Sequence, residues 1–299
     1  MTGAAVDPAR CALAERLLAD VEQLALRIGP RHAGCPAGLE AAARWLEQRG
    51  AELGVPLRRE PAPAGDNLVA ELAGAGPRLL IGAHYDSVPD VPEAPGADDN
   101  ASGVAVLLEL LGRAVRQPLP CALRAVCFAN EEAMRWRRAD GGSWRHAQRL
   151  AAGELAAALI IDAVGYYDAR RGSQHWPAWW MPLWYGTRGD FLCVQAAWRD
   201  RRLAWTCLRA ARGHGLPVRG CWWPFQRWQL MGDQESFVAH GIPTIALTDT
   251  DRFRNPHFHR LGDRPETLDA GRLAAVAEAA WAALQAMARW AQARGCARR

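Results

Sequence analysis

Histidine and carboxylate side chains close one apolar run after another along this chain, and their types and spacing suit metal-assisted acid-base chemistry. Leu79-Leu80-Ile81-Gly82-Ala83 leads to His84 and Asp86, and Leu123 to Phe128 leads to Glu131 and Glu132. Ala157 to Ile161 leads to Asp162, and Gly241 to Leu247 precedes His257 and His259. Residues two apart on an extended chain face the same side, so His84 and Asp86 can share a cavity while Tyr85 turns away. A metal-ligating histidine usually donates its other ring N–H to a carboxylate, a role for which Asp86 is placed. Adjacent acids such as Asp98 and Asp99 resist ionising together near a third unless a cation offsets them. Histidines among several carboxylates suit a two-metal site, zinc foremost, with one carboxylate bridging ions about 3.5–4 Å apart.

Each group also has a bland reading. A Glu-Glu pair is usually a solvated edge or a helix start, and an isolated Asp after a strand is commonly a turn or helix cap. His32, alone in a loop, reads as a surface or capping group, not a ligand. What shifts the balance is repetition: three apolar strands in succession end on an acid or a histidine.

Periodicity outlines the elements that must position these groups. Residues 8 to 28 and about 38 to 49 read as helices, and Asn67 to Leu72 as a strand. The run from Leu79 is a buried strand, and from Ser102 the spacing of Val104, Leu107, Leu108 and Leu111 is helical. Leu123 to Phe128 and Ala157 to Ile161 read as buried strands, and Ser143 to Ala152 as a helix. Asp233 starts a helix, Gly241 to Leu247 is a strand, and Thr267 to Ala293 is an amphipathic helix covering one sheet face. Strands alternating with helices predict an α/β fold, a mixed and mostly parallel sheet with helices on both faces, in one domain over 1–299. The acids then lie at the carboxyl ends of strands, where open α/β sheets bind ligands. The tryptophans of 173–190 and 221–230 read as a loop layer packing on itself more than as a substrate wall.

Composition narrows the function classes. Of 299 residues, 50% are hydrophobic and 23% charged, ordinary for a globular enzyme and unlike a disordered chain. The net charge is +4, and every basic residue is an arginine. The arginines are scattered, which argues against nucleic-acid binding. The N-terminal stretch carries acids where a signal peptide needs an apolar core, and no run reaches the ~18 apolar residues of a membrane span. A cytoplasmic protein is expected, with no membrane partner. Its 8 cysteines, without paired CxxC spacing, are expected as reduced, buried thiols.

The series GAHYDSV, PGADDNASG, FANEE, IIDAVGY, DQESF with GIP, and NPHFHRLGDRPETLD resembles the motifs of the co-catalytic zinc aminopeptidases of metallopeptidase family twenty-eight. The resemblance runs from about Gly29 to Asp269. It implies a three-layer zinc-exopeptidase fold and a peptide substrate with a free N-terminus. It also implies that His84 and Asp162 hold one zinc, Glu132 and His259 the other, and that Asp99 bridges them. Asp86 would orient His84, and Glu131 would be the general base, taking a proton from a shared water acidified by two zinc ions and passing it to the leaving amine. In such enzymes the bridging Asp precedes a cis peptide, here Asp99-Asn100. His257 would be structural or lie outside the ligand set.

There are departures. Phe258 stands where a Tyr is frequent, so an oxyanion donor worth ~10²–10³ in rate is missing. Gln234 stands where a His is frequent, and the run from Ala133 to Gly142 is atypical. The glutaminyl cyclases share the fold and supply the rival reading: one zinc on Asp99, Glu132 and His259, with Glu131 and Asp162 handling protons. A metal-free homologue used for binding is the third.

Overall fold

Arg78–His84, the strand that delivers His84, sits inside an eight-stranded sheet in the computed structural model, which describes residues 7–62, 64–132, 140–223 and 231–296. In chain order the strands are β1 (Arg58–Glu60), β2 (Asn67–Leu72), β3 (Arg78–His84), β4 (Ala122–Phe128), β5 (Leu155–Ile161), β6 (Leu192–Ala196), β7 (Val218–Cys221) and β8 (Thr244–Thr248). Their order across the sheet is β1-β2-β4-β3-β5-β8-β6-β7. The middle four, β4-β3-β5-β8, are mutually parallel, whereas β2 joins β4 and β6 joins β8 antiparallel. The expected mixed, mostly parallel sheet is therefore present.

Both faces of the sheet are covered, and the sequence of β3 and β5 shows why. Leu79, Ile81 and Ala83 of β3 and Ala157, Leu159 and Ile161 of β5 belong to the larger apolar core, while Leu80, Ala158 and Ile160 belong to the opposite one. Strands buried on both sides must be apolar along their interior, and Leu79 to Ala83 of β3 and all of β5 are. The larger core is closed by α1 (Pro8–Glu22), α2 (Pro36–Glu52), α3 (Gly103–Arg116), α6 (Arg201–Ala211) and the long α8 (Ala270–Cys296). The smaller is closed by α4 (Gly142–Arg149) and α7 (Asp233–Ala239), through Ala147 and Phe237. A short helix, α5 (Met181–Tyr185), lies in the segment between β5 and β6. Among the described residues no helix is long and apolar enough to cross a membrane.

The read helices and strands are all present, with ends moved by a few residues. α1 runs into a wider-turned continuation, Gln23–Ile28, so the first helical stretch ends where expected, before Gly29 at φ 78. β1, β6, β7 and α6 were not anticipated. The tryptophan layer packs on itself in part: Trp176 stacks on Tyr185 at 4.9 Å, and Trp180 meets Trp223 edge-on at 5.0 Å. Trp179 and Trp184 instead are exposed, and Trp228, like the run 133–139, lies outside the described residues. Cys121, Cys127, Cys193, Cys207 and Cys221 are buried and in no disulfide, as expected, but Cys11 is exposed. His32 is buried, not at the surface; its Nδ1 accepts from Gly34 N, a local turn cap.

Candidate active site

The carboxyl ends of the parallel strands bring the chemically competent groups together. β3 ends on His84, which pairs in register with Phe128 at the end of β4, three residues before Glu131; Asp162 directly follows β5. Asp99 comes from the turn Ala97–Ser102 that enters α3, and His259 from the loop after β8. Asp99 lies between the two histidines: its Oδ1 is 3.2 Å from His84 Nε2, and its Oδ2 is 3.1 Å from His259 Nε2. His84 Nε2 is also 3.3 Å from Asp162 Oδ1, and His259 Nε2 is 3.0 Å from Glu132 Oε2. Two ligand triples result, His84-Asp99-Asp162 and Asp99-Glu132-His259, each with its donor atoms within 4.8 Å of one another.

A third triple, His84-Glu131-Glu132, meets the same spacing. Glu131 Oε2 is 3.9 Å from His84 Nε2, farther than Asp99 or Asp162, so spacing alone ranks it last among the histidine's neighbours.

Around the triples, buried polar groups fix the geometry. Asp86 supports the glutamates more than the histidine: its Oδ1 accepts from Glu131 N and its Oδ2 from Glu132 N, both at 3.1 Å. Its Oδ1 is 3.5 Å from His84 Nδ1, whose nearer contact is the Asp86 carbonyl at 3.3 Å. The Asp99-Asn100 peptide is cis, as the resemblance implies. Asn100 fastens that turn to β5, donating to Ile161 O and accepting from Ala163 N. Asp263 accepts from the backbone N–H of Asp98 and of Asp99, while Asp98 itself accepts from Gly165 N and Asn255 Nδ2, away from the triples. His257 joins no triple; its ring meets Tyr166 edge-on at 6.2 Å. His259 adopts φ 55, uncommon for a residue with a Cβ, and Phe258 stacks on its ring at 3.8 Å.

Arg31, which no sequence pattern singles out, is wholly buried behind this turn. Its guanidinium donates to the carbonyls of Tyr85, Pro95 and Gly96, tying the residue between His84 and Asp86 to the loop that presents Asp99. Its partners are carbonyls, so nothing in the charge pattern pointed to it. Asp233, also unassigned from sequence beyond a helix start, is buried with neither carboxylate oxygen hydrogen-bonded.

Burial and mutual repulsion shape the protonation of the cluster. Burial lifts Glu131 well above the ordinary carboxylate range against the pull of His84, and the charges of Glu132, Asp233 and Asp162 add to the rise. Burial and the charge of Asp99 raise Glu132 to about 7. Burial opposes a charge on His259, yet its hydrogen bonds to Asp99 and Glu132 prevail and raise it to about 11. Burial likewise opposes charge on His84, and Glu131, Asp162, Asp86 and Asp99 together push it well above its ordinary value. Asp99 also resists burial, but the two histidines hold it below the usual range. The cluster alone thus retains protons on groups that a divalent cation would displace. Glu132 Oε1 is buried without a hydrogen-bond partner, an acceptor unused by the protein. Imidazole and carboxylate donors with a spare oxygen fit zinc.

The sequence profile of Peptidase family M28 matches residues 67–179, which span the site from β2 through Asp162. The uncharacterized protein YfbL of Escherichia coli (strain K12) is 33% identical over 283 residues, covering 90% of this chain and 87% of its own. Among solved structures, the LapA aminopeptidase of Legionella pneumophila superposes with a TM-score of 0.70 at 19% identity, covering 93% of this chain and 74% of its own. The glutaminyl cyclase of Fimbriiglobus ruber superposes with a TM-score of 0.65 at 19% identity, covering 91% and 95%. With the profile lying over the strands that carry the His and carboxylate cluster and the E. coli relative matching nearly end to end, the chain belongs to peptidase family M28.

Proposed function

We propose that the protein is a zinc-dependent aminopeptidase that hydrolyses the first peptide bond of a substrate with a free N-terminus. Membership of peptidase family M28 supports a peptide hydrolase. The observation that carries the finer reading is the division of Asp99, one oxygen toward His84 and the other toward His259, which supports two ions and a bridging carboxylate. His84, Asp162 and Asp99 would hold one zinc, and Glu132, His259 and Asp99 the other. Bound zinc would supply Lewis acidity, acidifying a water and polarising the scissile carbonyl.

The chain's own residues do the rest. Glu131, with its pKa lifted by burial, takes a proton from the attacking water as the C–O bond forms, and delivers it to the departing amine as the C–N bond breaks. Asp86 holds the backbone of both glutamates, so the base stays beside the ligand next to it. The test is Glu131→Gln, which keeps size and removes the base. Cleavage of aminoacyl-anilides should fall by ~10²–10⁴ with zinc content unchanged; unchanged cleavage would end the hydrolase reading.

The cyclase reading keeps one support, because Asp99, Glu132 and His259 form a complete triple by themselves. Zinc content and the product made from N-terminal glutamine peptides separate the two.

A further inference from the structure

We propose that the guanidinium of Arg252 donates to the oxyanion that forms on the scissile carbonyl, supplying the hydrogen bond that Phe258 cannot. The inference deepens the aminopeptidase reading and rests on it, because that reading sets the reacting carbonyl between the two ligand triples. The groups gathered there are carboxylates, which accept, and imidazole nitrogens already facing carboxylates. Charge developing on the carbonyl oxygen needs a fixed donor aimed at it.

Arg252 flanks both triples. On one side it lines, with Asp162 of the first triple, a shared recess. On the other its Cζ stands 5.4 Å from the centre of the Phe258 ring, which stacks at 3.8 Å on His259 of the second. Its Nε, like its backbone N–H, donates to Asp251 Oδ1, which fixes the inner end of the guanidinium. Among the described residues neither Nη has a hydrogen-bond partner, and the side chain is 41% exposed, so the outer edge of the fork is open to a substrate. The turn that carries it is strained: Thr250 at φ 85 and Asp251 at φ 39 lie in the left-handed region, unusual above all for a β-branched residue. Thr248 Oγ1 accepts from Thr250 N, Asp249 Oδ1 accepts from Asp251 N, and Gln174 Nε2 donates to Thr250 Oγ1, which hold the strain in place. Backbone strain sustained in this way gathers at functional sites, and here it presents Arg252 at the rim of the cluster. In the step itself the water oxygen bonds to the carbonyl carbon and the π pair moves onto the carbonyl oxygen. An Arg252 N–H donates to that oxygen and keeps its proton. When the pair returns the C–N bond breaks, and the proton taken from the water reaches the amine through Glu131.

The experiment uses the zinc-loaded full chain. It measures kcat and KM for leucyl-anilide, and by calorimetry the binding of leucinamide and of the α-aminophosphonate analogue of leucine, a tetrahedral anion. Arg252→Met should lower kcat by ~10²–10³ with KM and zinc content unchanged. It should weaken the phosphonate by roughly 10- to 100-fold while leucinamide holds. Arg260→Met, which takes an exposed charge from the same loop, is the control and should leave all of these as they were. A kcat that stays, a loss carried by KM alone, the two ligands weakened alike, or the same losses in Arg260→Met overturns the assignment, while turnover by the unaltered protein upholds the aminopeptidase reading. If the unaltered protein cleaves no anilide, that reading fails and binding decides about Arg252. A margin of phosphonate over leucinamide that is lost in Arg252→Met supports the donor; an unchanged margin, or a phosphonate that does not bind, overturns it.

Discussion

Asp99 is the residue on which the site turns, because its two oxygens face two different histidines, and its neighbour Asp98 serves only the scaffold. The two neighbouring histidines divide in the same way. His259 faces Asp99 and Glu132, whereas His257 packs against Tyr166. His259→Ala should therefore lower zinc content by one equivalent, and His257→Ala should leave it intact, as read by metal analysis of the purified variants. The reverse pattern would mean that the ligand register is wrong. Phe258 offers its ring to His259 in place of a hydroxyl, so an oxyanion finds no donor at that position.

At the scale of elements, the parallel strands were legible because burial on both faces leaves an uninterrupted apolar run, and each such run ended on a group that stood out. β1, β6 and β7 escaped for physical reasons. β1 is three polar residues at the sheet edge, and β7 is a four-residue strand carrying Arg219 and Gly220, so neither has a period to read. β6 runs almost directly into Trp198–Asp200 and α6, which blurs its end. Arg31 was invisible because its partners are backbone carbonyls, which only folding brings together. The turn that presents Asp99 depends on it. Arg31→Met should remove the guanidinium bonds to the carbonyls of Tyr85 and Pro95, at about 1–3 kcal/mol for each acceptor left unpaired, while Gly96 O keeps its bond from Ala101 N, and should weaken zinc binding by ~10–100-fold. Urea unfolding and zinc titration check both; a variant as stable and as zinc-avid as the parent would remove Arg31 from the account.

At the scale of the whole molecule, the site stores electrostatic strain that pH should expose. Burial raises Asp233 to about 7 and Asp251 to about 6, Glu132 rises to about 7, and His259 to about 11. Each folded value lies above its unfolded one, so each group contributes stability that is complete below the unfolded value and lost as pH rises through the folded value. For the acids that window runs from about 4 to 7, and for His259 from about 6.5 to 11. Between pH 5 and 8 all of them act with the same sign. The Tm of zinc-stripped protein should fall over that range, and zinc should restore it most at the alkaline end, where fewer protons compete for the ligands. A Tm that rises with pH in the stripped protein would refute the proton-holding cluster.

Titration of zinc into stripped protein, followed by release of the N-terminal residue from a peptide, bears most directly on the two-ion aminopeptidase. Turnover should climb to a plateau at two equivalents of zinc per chain. A plateau at one equivalent with ring closure of glutamine as the product, or no turnover at any loading, would contradict it.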